Sequence, residues 1–125
     1  MKNLNKILSN HKNLPLDEFY KHVLYDEKSG YYFKKNPIGK KGDFVTSPGV
    51  TFLFSEIIAI WFISLWESLN KPKNFNIIEL GPGTGKMCKT MIHVFKKFPK
   101  FYKSSNIFLY EKSLLLKSIQ KKNLN

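Results

Sequence analysis

Glu79-Leu80-Gly81-Pro82-Gly83-Thr84-Gly85 is the stretch that decides the reading of this 125-residue chain. The residues before it, Phe75–Leu80, form a short apolar run suited to a buried parallel strand. Behind it, residues 86–98 place Met87, Met91, Val94, Phe95 and Phe98 on one helical face, and Pro99 is expected to end that helix. Residues 107–110 read as a second buried strand. Ser113 is positioned to N-cap a last helix carrying Leu115, Leu116 and Ile119. Strand, loop, helix, strand, helix is a βαβ frame with one more helix, and such frames imply a parallel sheet.

The glycines at alternate positions allow a tight turn and let a ligand approach where a Cβ would clash. A helix N-terminus behind them offers unpaired N–H groups, which in a dinucleotide site hold a pyrophosphate. Here the spacing is Gly-x-Gly-x-Gly, with an acid two residues before the first glycine. A carboxylate at Glu79 repels a pyrophosphate and suits the ammonium of an amino-acid moiety. S-adenosylmethionine carries that group and no phosphate. Glu111, 26 residues past Gly85 at the end of the second strand, suits a ribose 2′,3′-hydroxyl pair. A phosphate-binding loop is the rival, since Gly83-Thr84-Gly85-Lys86 resembles the end of one. That pattern needs glycine at Leu80 and a hydroxyl at Met87.

Upstream, residues 16–24 read as a short helix with Asp17 and Glu18 in its first turn. Tyr31-Tyr32-Phe33 reads as a short aromatic strand that could pair with an extended segment at 43–46 as a small hairpin. Residues 50–66 are apolar except for Thr51, Ser55, Glu56 and Ser64. They fall short of about 20 clean apolar residues, so a helix sandwiched inside a soluble protein is expected rather than a membrane span. Asn70-Lys71-Pro72-Lys73 is the clearest hinge. It divides a helical and hairpin lead-in, 1–70, from the sheet-forming part, 71–125.

The net charge is +12, and all 21 basic residues are lysine. Nucleic-acid or phosphate recognition is expected to use some arginine, whose planar fork binds bidentately, so no nucleic-acid partner is expected. Residues 71–125 nonetheless hold twelve lysines against two acids. That asymmetry supports an alternative function: a non-catalytic remnant or assembly-factor module that binds a protein partner through this basic third. One cysteine, Cys88, excludes an internal disulfide and a cysteine metal cluster. His11, His22 and His93 share no metal-ligand spacing. The stretch 1–16 has no apolar signal core and no arginine. Asp43 is either a substrate-site carboxylate or a turn cap after Gly42. Glu56, in an apolar helix, is expected to need a partner.

Four segments in this order resemble a known family: Gly30-Tyr31-Tyr32; Gly39-Lys40-Lys41-Gly42-Asp43-Phe44-Val45-Thr46-Ser47-Pro48; Trp61-Phe62-Ile63-Ser64-Leu65-Trp66; and Ile78 through Gly85. They are similar to the MidA-like methyltransferases, whose mitochondrial members are arginine methyltransferases needed for assembly of respiratory complex I. The Gly-Asp-Phe-x-Thr-Ser-Pro segment is the most specific part. The resemblance implies an α/β, Rossmann-like fold with S-adenosyl-L-methionine as cofactor and a protein substrate, such as a complex I subunit. Glu79, Gly81, Pro82, Gly83 and Gly85 would then line the methionine end of the cofactor. Glu111 would hold the ribose, and Thr46, Ser47 and Pro48 would cover the cofactor from the N-terminal side. The implied location is the mitochondrial matrix in a eukaryote or the cytoplasm in a bacterium. The chain departs from the family at Gly49 (usually Glu), Phe52 (Gln), Ser55 (Gly) and Thr84 (Arg).

A complete doubly wound sheet needs about 200 residues, at roughly 30 per strand–helix unit. The expectation is therefore the N-terminal part of the fold: the lead-in plus a first βαβα, a truncated form with its acceptor site elsewhere. The open sheet edge would be covered by the missing C-terminal half or by another chain.

Overall fold

The computed structural model describes residues 13–34, 37–39 and 42–124, together with Ser9. Helix α1, Leu16–Tyr25, carries Asp17 and Glu18 in its first turn, where acids suit the helix dipole. The chain then turns on Asp26, whose carboxylate accepts from the Lys28 N–H, the Ser29 N–H and the Ser29 hydroxyl at 3.1, 2.7 and 2.6 Å. Gly30 folds back so closely that a Cβ there would lie 2.5 Å from the Asp26 backbone. Tyr31–Lys34 follows as a single helical turn, α2, not as the strand expected for Tyr31-Tyr32-Phe33. The turn brings Tyr32 to stack on Tyr25 at 5.6 Å, and this local closure overrides the β preference of three aromatic residues.

The expected hairpin is also different. The pairing is an isolated bridge between Ile38 and Phe44, with the Gly39 N–H donating to the Phe44 carbonyl and the Phe44 N–H to that of Pro37. A short turn, α3 (Ser47–Val50), leads into α4, Phe52–Ser68. Thr51 caps α4 by accepting from the Leu53 N–H.

The strands β1, Phe75–Leu80, and β2, Ser105–Tyr110, pair in parallel from Phe75↔Ser105 to Leu80↔Tyr110. Between them lie α5, Lys86–Phe95, and α6, Pro99–Ser104. The expected 86–98 helix is thus shorter. Pro99 starts a new helix at its first turn, where proline lacks only an N–H that would be unpaired anyway. Helix α7, Leu114–Leu124, closes the described chain. Its cap is Ser113, as expected: the Ser113 hydroxyl accepts from the Leu116 N–H at 3.3 Å.

One face of the sheet carries the core. Ile77 is buried against Ala59, Ile63 and Trp66 of α4, Cys88, Met91, Val94 and Phe95 of α5, and Phe101 of α6. Phe101 is the hub, with its ring 4.8 Å from Phe95, 5.5 Å from Trp66 and 5.8 Å from Phe75. Each such aromatic pair adds about 0.5–1.5 kcal/mol beyond the area it buries. The hinge at 70–73 therefore joins elements that share this core, and the Trp66 indole N–H donates across it to the Pro72 carbonyl.

Two burial expectations are corrected. The α4 helix buries one stripe, Ser55, Ala59, Ile63 and Trp66, while Leu53, Ile57, Ile60 and Trp61 are exposed on its other side. Glu56 is exposed too, so no buried partner is required of it. The strands are likewise covered on one face only. Ile78, Leu80, Phe108 and Tyr110 point away from the helices and are 54–75% exposed. Alternation with period two puts these residues opposite Ile77, Ile107 and Leu109. No helix among the described residues is long and apolar enough to cross a membrane.

Candidate functional site

The glycine loop leaves β1 with its ladder extended by one bond, the Gly81 N–H to the Tyr110 carbonyl at 2.9 Å. Gly81, Gly83 and Gly85 all have left-handed backbones, with φ of 66°, 57° and 76°. L-residues rarely adopt that conformation, so the alternate glycines are a conformational requirement of the loop. Space constrains them too. A Cβ on Gly83 would meet Ile38 Cδ1 at 2.7 Å, whereas one on Gly81 would meet nothing within 4 Å. Gly81 therefore borders open space. That space is a cleft of about 260 Å³ between the loop and the lead-in segment.

Glu79, Gly81, Pro82 and Gly83 line the cleft from the sheet side, and Thr46, Pro48 and Gly49 line it from the lead-in. The sequence-predicted site residues are thus largely brought together. Ser47 is not among the lining residues; it opens α3, and its carbonyl accepts from the Thr51 N–H. Gly85 sits behind the loop, at the start of α5. Glu111 faces an adjoining cavity of about 170 Å³, shared with Tyr25, Tyr32, Gly81 and Gly83. The two spaces share Ile38, Gly81 and Gly83 in their linings, with Glu79 on one and Glu111 on the other.

The electrostatics of the two carboxylates differ. Glu79 is half-buried, and its Oε2 has no hydrogen-bond partner among the described residues. Burial raises its pKa above the usual carboxylate value. An unpartnered oxygen of this kind is an unmet acceptor that favours a cationic donor. Glu111 is held in place: its Oε1 accepts from the Ser113 N–H at 2.9 Å. Beside Glu79, the Cys88 thiol is pushed up to about 11, first by burial and then by the Glu79 charge. It is 1% exposed and packs in the core. Asp43 is engaged elsewhere, accepting from the Tyr31 hydroxyl at 2.5 Å. This bond pushes the Tyr31 pKa up to about 12.

Sequence reasoning missed several residues. Ile38 and Gly39 line the cleft because the bridge to Phe44 folds them over the loop. Gln120 and Asn123 of α7 donate side-chain bonds to the Gly83 and Thr84 carbonyls at 2.7 and 2.8 Å. Neither pattern nor spacing singles them out. No group of three or more His, Cys, Asp and Glu able to hold a metal occurs among the described residues.

Comparison with known proteins agrees with this architecture. The family model described as "Putative S-adenosyl-L-methionine-dependent methyltransferase" matches residues 57–125. The mitochondrial protein arginine methyltransferase NDUFAF7 of Xenopus tropicalis is 37% identical over 89% of this chain and 26% of its own length. That of Homo sapiens is 39% identical over 82% of this chain and 24% of its own. The chain thus spans about a quarter of the curated relatives it matches. A crystal structure from Burkholderia thailandensis, bound to S-adenosyl-homocysteine, shares the fold with a TM-score of 0.74 over 98% of this chain and 32% of its own, at 22% identity. With more than half of its residues matched by that model, and with the glycine loop inside the matched region, the chain belongs to this family of S-adenosyl-L-methionine-dependent methyltransferases.

Proposed function

We propose that this chain is the cofactor-binding part of an S-adenosylmethionine-dependent methyltransferase that modifies arginine on a protein. The supporting observation is that Glu79, whose buried Oε2 has no hydrogen-bond partner among the described residues, lines the cleft beside an open glycine loop, with Glu111 on the adjoining cavity. Glu79 takes the ammonium of the methionine moiety. The α-carboxylate is received by backbone N–H groups at the start of α5, the positive end of that helix dipole. A zwitterion needs both partners, and a phosphate is served by only one of them. Glu111, fixed by the Ser113 N–H, accepts from the ribose hydroxyls. Thr46 and Pro48 border the cofactor from the lead-in side.

The cofactor supplies an electrophilic methyl group on a sulfonium. The chain's contribution is alignment: loop, carboxylates and lead-in hold the donor in one orientation for in-line attack. Asp43 and Glu56 do not line the cleft, so neither is assigned a role at the donor.

The curated relatives are named mitochondrial protein arginine methyltransferases, and by analogy we place the protein in mitochondria with protein arginine as acceptor; the family resemblance makes a respiratory complex I subunit the proposed acceptor and complex I assembly the proposed process. Acceptor recognition is assigned to further polypeptide, which would also cover the apolar sheet face of Ile78, Leu80, Phe108 and Tyr110. The twelve lysines against two acids in residues 71–125 suit a second reading, a partner-binding module without catalysis. Thermal unfolding with S-adenosyl-homocysteine separates the two. Stabilisation that rises with ligand concentration supports the methyltransferase reading. No stabilisation at millimolar ligand, with salt-sensitive binding to an acidic polymer, supports the module.

A further inference from the structure

Helix α7 touches the cofactor loop and the Glu111 carboxylate, yet no part of it reaches the main cleft. At its start, Ser113 donates its N–H to Glu111 Oε1 and its hydroxyl to the Tyr32 carbonyl at 2.7 Å. Two turns later, about 10 Å along the axis at 1.5 Å per residue, the Gln120 amide donates to the Gly83 carbonyl and that of Asn123 to the Thr84 carbonyl. Gln120 is 6% exposed, unusual for a glutamine side chain. Its Cγ lies 3.3 Å from where a Cβ on Gly85 would sit, so it is wedged against the loop.

The direction of these bonds matters. In a trans peptide the C=O and the following N–H point opposite ways, and no peptide here is cis. A Gly83 carbonyl held toward Gln120 turns the Thr84 N–H away from α7. A released carbonyl could rotate toward the ligand and present negative charge where the ligand's own carboxylate belongs. Gly83, with no Cβ on its side of that peptide, lowers the resistance to the rotation there.

We infer that Gln120 is a positioning residue that locks the Gly83–Thr84 peptide in the orientation that accepts an α-carboxylate, and so makes the site selective for an amino-acid-bearing nucleoside; Asn123 braces the next peptide, whose Gly85 N–H is held by the Pro82 carbonyl. The inference rests on the cofactor reading above and adds a specificity role for a helix outside the cleft.

Two ligands test it, S-adenosyl-homocysteine and 5′-methylthioadenosine, which shares the nucleoside and thioether but has no amino-acid end. Calorimetric titrations compare the unsubstituted chain, Gln120→Met and Asn123→Ala. Gln120→Met keeps the side-chain volume and removes the donor. Asn123→Ala is a half-buried position near the helix end and leaves the core untouched. Loss of a buried donor to the loop is expected to weaken S-adenosyl-homocysteine about tenfold in Gln120→Met and several-fold in Asn123→Ala. Methylthioadenosine affinity should change less than twofold in both. Equal losses for the two ligands, or no loss in either variant, overturn the inference. No binding of either ligand by the unsubstituted chain overturns the cofactor reading itself. If Gln120→Met fails to fold, the Asn123→Ala ratio decides alone.

Discussion

Replacing Glu79 by glutamine should improve the fold and impair the site. In the free protein the Glu79 carboxylate is half-buried, with an oxygen that has no partner among the described residues, and burial raises its pKa. A carboxylate whose folded pKa lies above its unfolded value binds protons more tightly in the native state. Its contribution to stability is therefore best in acid, declines as pH rises from the ordinary carboxylate value through the raised one, and stays unfavourable above it. Glutamine removes that charge. Glu79→Gln should melt higher than the unsubstituted chain at pH 7, with the gap closing toward pH 4. Ligand binding moves the other way. A charge-assisted hydrogen bond is worth about 1.5–3 kcal/mol, or roughly 10- to 150-fold in affinity. With ligand well above Kd, the stabilisation it confers should shrink by that same amount. For the unsubstituted chain, S-adenosyl-homocysteine should bind more weakly as acid protonates Glu79, starting above the usual carboxylate range. The assay is thermal unfolding from pH 4 to 8, with and without ligand. A variant that binds as tightly as the parent would refute the assignment of Glu79 to the ammonium. A variant that melts lower at pH 7 would refute the claim that its charge is unmet in the free protein.

Other outcomes follow from the same geometry. Gly85→Ala should cost about 1–2 kcal/mol, because the φ of 76° is strained for any L-residue and Gln120 stands 3.3 Å from the new methyl; urea unfolding measures it. Phe95→Ala removes a fully buried ring packed on Phe101 and should cost about 3–5 kcal/mol in the same assay. The Cys88 thiol, pushed up to about 11 and buried, should resist iodoacetamide at pH 8 in the native chain and react once urea unfolds it. Replacing Ile78 and Phe108 together by threonine should reduce self-association in light scattering without loss of stability, since both face outward from the core.

The sequence revealed the parts of the fold whose causes are local. Strand, glycine loop and α5 follow one another because apolar run, alternate glycines and helical stripe lie within 21 residues, 75–95. Helix α7 was announced by its cap. The cleft was legible because Glu79 and the glycines are adjacent in the chain, and its lead-in wall because Thr46 and Pro48 belong to a specific motif. What stayed hidden depends on long-range packing. Tyr31-Tyr32-Phe33 has strand residues, but the Asp26 turn and the stack on Tyr25 curl it. Apolar residues all round α4 gave no clue that only one stripe is covered. Pro99 announces a helix boundary but not that a new helix begins there. Nothing in the sequence singles out Gln120, and only the folded chain shows its amide on the Gly83 carbonyl.

The central claim is that the Glu79–Gly85 loop holds an amino-acid-bearing nucleoside. Titration of the ¹⁵N-labelled 125-residue chain with S-adenosyl-homocysteine tests it most directly. Saturable shifts of the Gly81, Gly83, Thr84 and Gly85 amides, with smaller ones at Glu111 and Thr46, are predicted. No saturable shift at millimolar ligand, or shifts confined to residues far from the loop, would contradict the account.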